Sequence, residues 1–108
     1  MVSEVIHSSQ LNWEAVTAEG KTVKGIYEKY LRFDEGKKRP IRLLLKFDPG
    51  ASYPSHKFPG NDEIFILEGE VTYGNFELKQ GDYLVTPPNA NLVVSSNKGC
   101  IILYIMSK

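Results

Sequence analysis

Apolar and polar positions alternate with a period of two along most of this chain, and Gly, Pro, Asn and Asp cut the alternation into short runs. Ile41, Leu43, Leu45 and Phe47 fall on one face of an extended segment, with Arg42 and Lys46 on the other. Phe76 and Leu78 alternate with Glu77 and Lys79. Val23 to Phe33, Tyr83 to Thr86, Leu92 to Ser96 and Cys100 to Met106 read as further strands. Asp34 to Pro40, Asp48-Pro49-Gly50, Gln80-Gly81-Asp82 and Pro87 to Asn91 read as the turns between them. Ile64 to Leu67 is apolar throughout and predicts a strand buried on both sides, broken by Glu68-Gly69-Glu70. Only Ser9 to Glu19 has room for a turn or two of helix, and Trp13, Val16 and Thr17 weaken it. Short strands at this spacing predict an all-β antiparallel barrel or sandwich.

At 108 residues the chain is expected to be a single domain, 1–108, with an N-terminal arm over 1–12 and a barrel over about 10–106. Thirteen Lys and Arg balance thirteen Asp and Glu. A neutral chain lacks the basic surplus of an electrostatic nucleic-acid binder, so no nucleic acid is expected as a partner. Lys37-Lys38-Arg39 reads as a solvated hairpin loop beside two acids. The longest apolar run, Cys100 to Met106, falls far short of the roughly 20 residues of a membrane-spanning helix. Met1 to His7 has neither the basic start nor the apolar stretch of a signal peptide, so a cytoplasmic location is expected. One Cys excludes an internal disulfide. Cys100 reads as a small buried hydrophobe, with no base beside it to make a nucleophile. Phosphate-cradling loops, G-x-S-x-G and CxxC are absent from the sequence.

One region carries more chemistry. Gly50 is followed after five residues by His56, then Phe58, Asp62 and Gly69. Gly81 is followed after five residues by Pro87, then Asn89 and Leu92. These spacings resemble the two motifs of the cupin superfamily, G-x5-H-x-H-x(3,4)-E-x6-G and G-x5-P-x-G-x2-H. Trp13-Glu14, Leu45 to Ala51, Pro54-x-His56, Pro59 to Glu63, Pro87-Pro88 and Gly99 to Ile102 resemble the ChrR-like branch of cupins. That branch includes the zinc-binding half of anti-sigma factors and dioxygenases that cleave diketones. The resemblance implies a cupin-type barrel, or jelly roll, with its site at the barrel mouth.

A metal cupin holds its ion with two His on one strand, a carboxylate and a third His. By that alignment Phe58 and Leu92 stand where two of the His belong, and only His56 and Asp62 keep ligand-type side chains. No metal is therefore expected; if one binds, Zn or Fe fits such N and O donors. His56 reads first as a residual ligand or polar pocket residue, next as a structural histidine, and last as half of an acid–base pair with Asp62. Asp62 reads also as a turn residue after Gly60-Asn61, and a one-residue slip would exchange it with Glu63, which otherwise faces outward. His7 on the N-terminal arm is the least favoured option for a fourth ligand, because it would have to reach the site at long range.

The pocket expected from this alignment is lined by Phe47, His56, Phe58, Asp62, Ile64, Ile66 and Leu92, with His56 and Asp62 as polar handles and as the catalytic candidates. Apolar walls with few polar groups suit a small organic ligand. A small-ligand-binding or regulatory cupin is the first reading. A metal-dependent dioxygenase-like enzyme, or a metal-free His–Asp acid–base enzyme of the isomerase or epimerase type, is the alternative. Val23, Ile26, Tyr27, Tyr30, Leu31 and Phe33 are more apolar surface than one small barrel encloses, and edge strands need cover, so a homodimer is expected.

Overall fold

A computed structural model describes residues 2–57 and 60–106, with Ser55, His56 and Lys57 described by backbone alone. Among the described residues nine strands form in chain order: β1 (Glu14–Ala18), β2 (Lys21–Asp34), β3 (Arg39–Phe47), β4 (Ala51–Lys57), β5 (Asp62–Tyr73), β6 (Phe76–Lys79), β7 (Tyr83–Thr86), β8 (Asn91–Ser96) and β9 (Cys100–Ile105). They pair antiparallel in the order β1-β2-β3-β9-β5-β8-β4, with β6 and β7 also on β5. The sheet curls on itself into two layers, the jelly-roll form that the resemblance implies.

The helical expectation over Ser9 to Glu19 does not hold. A single 3-10 turn forms at Ser8–Gln10, and Glu14–Ala18 is strand β1. Val16 enters the core from it. The reason is local. Glu19 and Gly20 both have positive φ, 52° and 78°, and Ala18 pairs with Lys21 across them. This is the two-residue hairpin turn whose twist matches that of the strands, and it commits the preceding residues to pairing with β2. A hairpin likewise joins β2 to β3. Asp34 pairs with Arg39, and Asp34 Oδ1 accepts from the Lys37 amide at 3.1 Å. Lys37 and Lys38 stay in solvent as expected, but Arg39 is half-buried at the start of β3.

β5 departs from its expectation twice. Ile64 and Ile66 are fully buried, but Phe65 and Leu67 are 39% and 37% exposed. The apolar run is thus buried on one face only, and its outer residues carry a sheet surface. Nor does Glu68-Gly69-Glu70 end the strand. The register shifts between Ile66 and Glu68, and β5 continues to Tyr73. Up to Gly69 it pairs with β7 and β9; from Glu70 it pairs with β6, and at Thr72 and Tyr73 with β8. A bulge bends one long strand from the first sheet into the second, with Gly69 (φ 79°) at the bend.

The core lies between the two layers. Ile26, Leu43, Phe47, Ile64, Ile66 and Ile102 come from the first, and Tyr73 and Val94 from the second. Ile26, placed above among a surplus for an interface, belongs to this core, whereas Tyr30 and Phe33 stay exposed. No described helix is long and apolar enough to cross a membrane.

Candidate functional site

The layers do not close completely. A cavity of about 200 Å³ remains between them, lined by Val16, Thr17, Ile26, Glu28, Leu43, Leu45, Phe47, Tyr53, Tyr73, Val94, Tyr104 and Met106. Register explains who faces it. In an antiparallel sheet residues directly opposite share a face. Leu43 is opposite both Tyr30 and Tyr104, and Leu45 is opposite both Glu28 and Ile102. On the second layer Val94 is opposite both Tyr53 and Tyr73.

Asp62 begins β5 on the inward face, 1% exposed, and Glu63 faces the other way, accepting from the Tyr83 hydroxyl. The Tyr104 hydroxyl donates to Asp62 Oδ2 at 2.7 Å. Tyr104 is opposite Ile64, so it reaches Asp62 on the diagonal. The carboxylate stands behind the tyrosine that lines the cavity. Burial, then the bond to Asp62, pushes the Tyr104 hydroxyl far above the ordinary range. Burial does the same to Tyr73, with Cys100 and Asp62 adding to it. Burial, then Glu28 and Glu19, raises Tyr53. At neutral pH these three are neutral hydroxyls.

Glu28 is the carboxylic residue among the described residues lining the cavity. Burial raises its pKa; the Tyr30 hydroxyl, donating at 2.9 Å, lowers it, and Glu14 directly across the strand pair raises it again.

Of the residues singled out from sequence, Phe47 lines this cavity and Asp62 adjoins it through Tyr104. Ile64 and Ile66 are core residues beneath it. Leu92 is half-buried against the core, and its backbone lies opposite that of His56. Phe58 and the side chain of His56 lie outside the described residues. Burial pushes the Cys100 thiol up to about 11, against hydrogen bonds from Ser96 and Phe47 that lower it, so it stays protonated and inert at neutral pH. Tyr53, Tyr73, Tyr104 and Glu28 were missed. Glu28 had a signal, its shared parity with Ile26. Tyr104 had none, because Cys100 to Met106 is apolar on both parities.

The donor set does not fit a multi-histidine metal centre. The chain has two His, and His7 sits exposed on the N-terminal arm. Asp62 is engaged by Tyr104. Among the described residues no three His, Cys, Asp or Glu side chains come together as a metal site.

A two-layer antiparallel barrel with a cavity between its layers is the architecture of the cupins. The chain belongs to the ChrR cupin-like domain family, whose model matches residues 1–107. No curated protein sequence matches it. Among solved structures it is similar to the polyketide cyclase RemF from Streptomyces resistomycificus, with TM-score 0.79 and 18% identity over 96% of this chain and 78% of that one. It is similar to the anti-sigma ChrR of Rhodobacter sphaeroides, solved with SigE, with TM-score 0.74 and 16% identity. That match covers 94% of this chain and 51% of ChrR. An RmlC-like cupin from Shewanella frigidimarina gives TM-score 0.70 and 19% identity, over 99% and 94% of the two chains. At these identities the likeness is one of fold.

Proposed function

We propose that this protein binds a small, mostly apolar organic molecule, neutral or cationic, in the cavity between its layers, and that this binding serves a regulatory role in the cytoplasm. The observation that carries the reading is the cavity's chemistry. Its described lining is apolar apart from Thr17, the hydroxyls of Tyr53, Tyr73 and Tyr104, and Glu28, with no Lys or Arg among them. Such walls reward burial of apolar surface, and the polar groups set orientation. A half-buried carboxyl group on the lining and a buried one behind Tyr104 disfavour an anionic ligand. The likeness to anti-sigma ChrR supports a regulatory role.

Thermal unfolding tests it against matched small amines, neutral alcohols and ketones, and carboxylates. A ligand at one hundred times its Kd adds about 2.7 kcal/mol, which is roughly 10 °C or more in Tm for a domain of this size. Amines or neutral compounds are expected to give such shifts, carboxylates none, and Val16→Phe is expected to abolish them by filling the cavity. Equal shifts with carboxylates, or shifts that survive Val16→Phe, would overturn the reading. His56 is a further candidate polar handle, and His56→Ala in the same assay measures its share.

One observation favours a second reading, a metal-free acid–base enzyme. A hydroxyl on the cavity wall is hydrogen-bonded to a buried carboxylate, an arrangement able to hold and pass a proton. Turnover of a bound ligand, lost in Tyr104→Phe while binding persists, would identify it.

Metal content gives an independent check. Because the sequence alignment with the family motifs sets Phe58 and Leu92 at two of the four ligand positions, protein purified without chelator is expected to carry far less than one equivalent of Zn, Fe, Mn or Ni by elemental analysis. Stoichiometric metal would reverse the assignment.

A further inference from the structure

Glu28 stands in a cavity wall that gives it no cation. The described lining is otherwise apolar or hydroxyl-bearing and holds no Lys or Arg. The lysines nearest along the strands lie on the other side of the sheet. Lys29 follows Glu28 on β2, and Lys46 follows Leu45, the residue opposite Glu28 on β3. Consecutive strand residues point to opposite faces. Both lysines accordingly stand outside, over the Trp13 ring, at 4.5 and 4.8 Å from its centroid. Lys29 Nζ also donates to the Ser8 carbonyl at 2.7 Å. Directly across the strand pair from Glu28 is a second carboxyl, Glu14. The Tyr30 hydroxyl, at 2.9 Å, is a neutral donor. A half-buried carboxylate held this way is poorly compensated, and a cation in the cavity would compensate it.

The rest of the wall suits such a cation. Phe47, Tyr53, Tyr73 and Tyr104 line the same cavity, and a cation is attracted to the face of an aromatic ring. Burial first and the Glu28 charge next raise the Tyr53 hydroxyl, which puts that ring within electrostatic reach of the carboxyl. An apolar cavity of about 150 Å³ takes benzene, so the cavity of about 200 Å³ takes roughly eight non-hydrogen atoms. A bare ammonium is compact and strongly hydrated. Alkyl groups on the nitrogen weaken that hydration and add apolar surface to bury.

We propose that the cavity selects a small alkylated ammonium ion, with Glu28 as its counter-ion and the aromatic walls around its alkyl groups. The inference rests on the reading of the cavity as a ligand site and narrows that reading from neutral or cationic molecules to one charge class.

Choline and its neutral carbon isostere, 3,3-dimethylbutan-1-ol, test it, because they share size and shape and differ in charge. Titration calorimetry at pH 8 is expected to show choline binding about tenfold or more tightly than the alcohol. Glu28→Gln keeps the shape of the side chain and an oxygen for the Tyr30 hydroxyl. It is expected to weaken choline by about tenfold and to change the alcohol by less than about twofold. Tyr53→Leu removes a ring and keeps apolar bulk, and is expected to weaken choline more than the alcohol. Circular dichroism checks that each variant is folded, and binding of the alcohol shows that its cavity is intact. Equal affinities of the two compounds for the wild type, or a preference for choline that survives Glu28→Gln, would overturn the inference and leave the cavity as a site for neutral molecules. Binding of neither compound would overturn the cavity reading and the inference together.

Discussion

Gly69→Ala is expected to unfold the protein, or to destabilise it by about 4 kcal/mol or more, at the extreme of what single substitutions do. A Cβ at Gly69 would lie 2.1 Å from the Gly99 carbonyl oxygen and 2.9 Å from the Cys100 Cα. Both obstacles are backbone, so no side chain can swing away. The positive φ of Gly69 adds the roughly 1–2 kcal/mol that any L-residue spends in that region. Gly81 supplies the control. Its φ is also positive, 91°, but nothing lies within 4 Å of a Cβ there, so Gly81→Ala should cost the conformational part alone, about 1–2 kcal/mol. Urea denaturation of the two variants measures the difference. Similar losses would mean that the bend of β5 can give way, and the close approach of Gly69 to β9 would lose its structural importance.

Alkaline pH is expected to unfold the protein steeply. Tyr73 and Tyr104 titrate above the ordinary tyrosine value of 10 because burial disfavours the phenolate, and the Cys100 thiol is pushed from 9 to about 11 for the same reason. The folded state therefore holds these protons more tightly than the unfolded chain. Their stabilisation is fully present below about pH 9 and is lost as pH rises, first through the thiol between 9 and about 11, then through the tyrosines from 10 upward. Each group contributes up to about 1.4 kcal/mol per pH unit, so three together reach roughly 4 kcal/mol per unit. Thermal unfolding between pH 8 and 11.5 should show a flat Tm to about pH 9 and a fall above 10. The phenolate absorbance owed to Tyr73 and Tyr104, isolated with Tyr73→Phe and Tyr104→Phe, should appear only with loss of the circular dichroism signal. Ionisation of both near pH 10 in an intact fold would contradict the burial argument.

Turns and parity carried most of the fold in the sequence. Asp48-Pro49-Gly50 and Gln80-Gly81-Asp82 separate strands as expected, because Gly and Pro impose backbone geometry whatever surrounds them. The inward parity of Asp62, Ile64 and Ile66 held because a two-residue period cannot slip without turning the core outward. Pattern failed where both parities are apolar. Ile64 to Leu67 looked buried on both sides, yet Phe65 and Leu67 face solvent, because only the inner face of β5 has a second layer against it. The Glu19-Gly20 turn was hidden because Glu is an uncommon left-handed residue, and β1 was missed with it. The cavity was the least legible part. Tyr53, Tyr73 and Tyr104 come from three strands far apart in sequence, and only the sheet order brings them together.

The place of β9 has a consequence for how the protein is made. It lies between β3 and β5, yet a ribosome delivers it after both. Until Cys100–Ile105 emerge, β3 and β5 have open edges towards the missing strand, and the apolar inner faces have no complete layer to close against. The nascent chain must hold eight strands without finishing the barrel. It then admits the ninth into the middle of the sheet rather than adding it at a rim. Closure is a late, non-local event, and the interval before it is when chaperone protection would matter most.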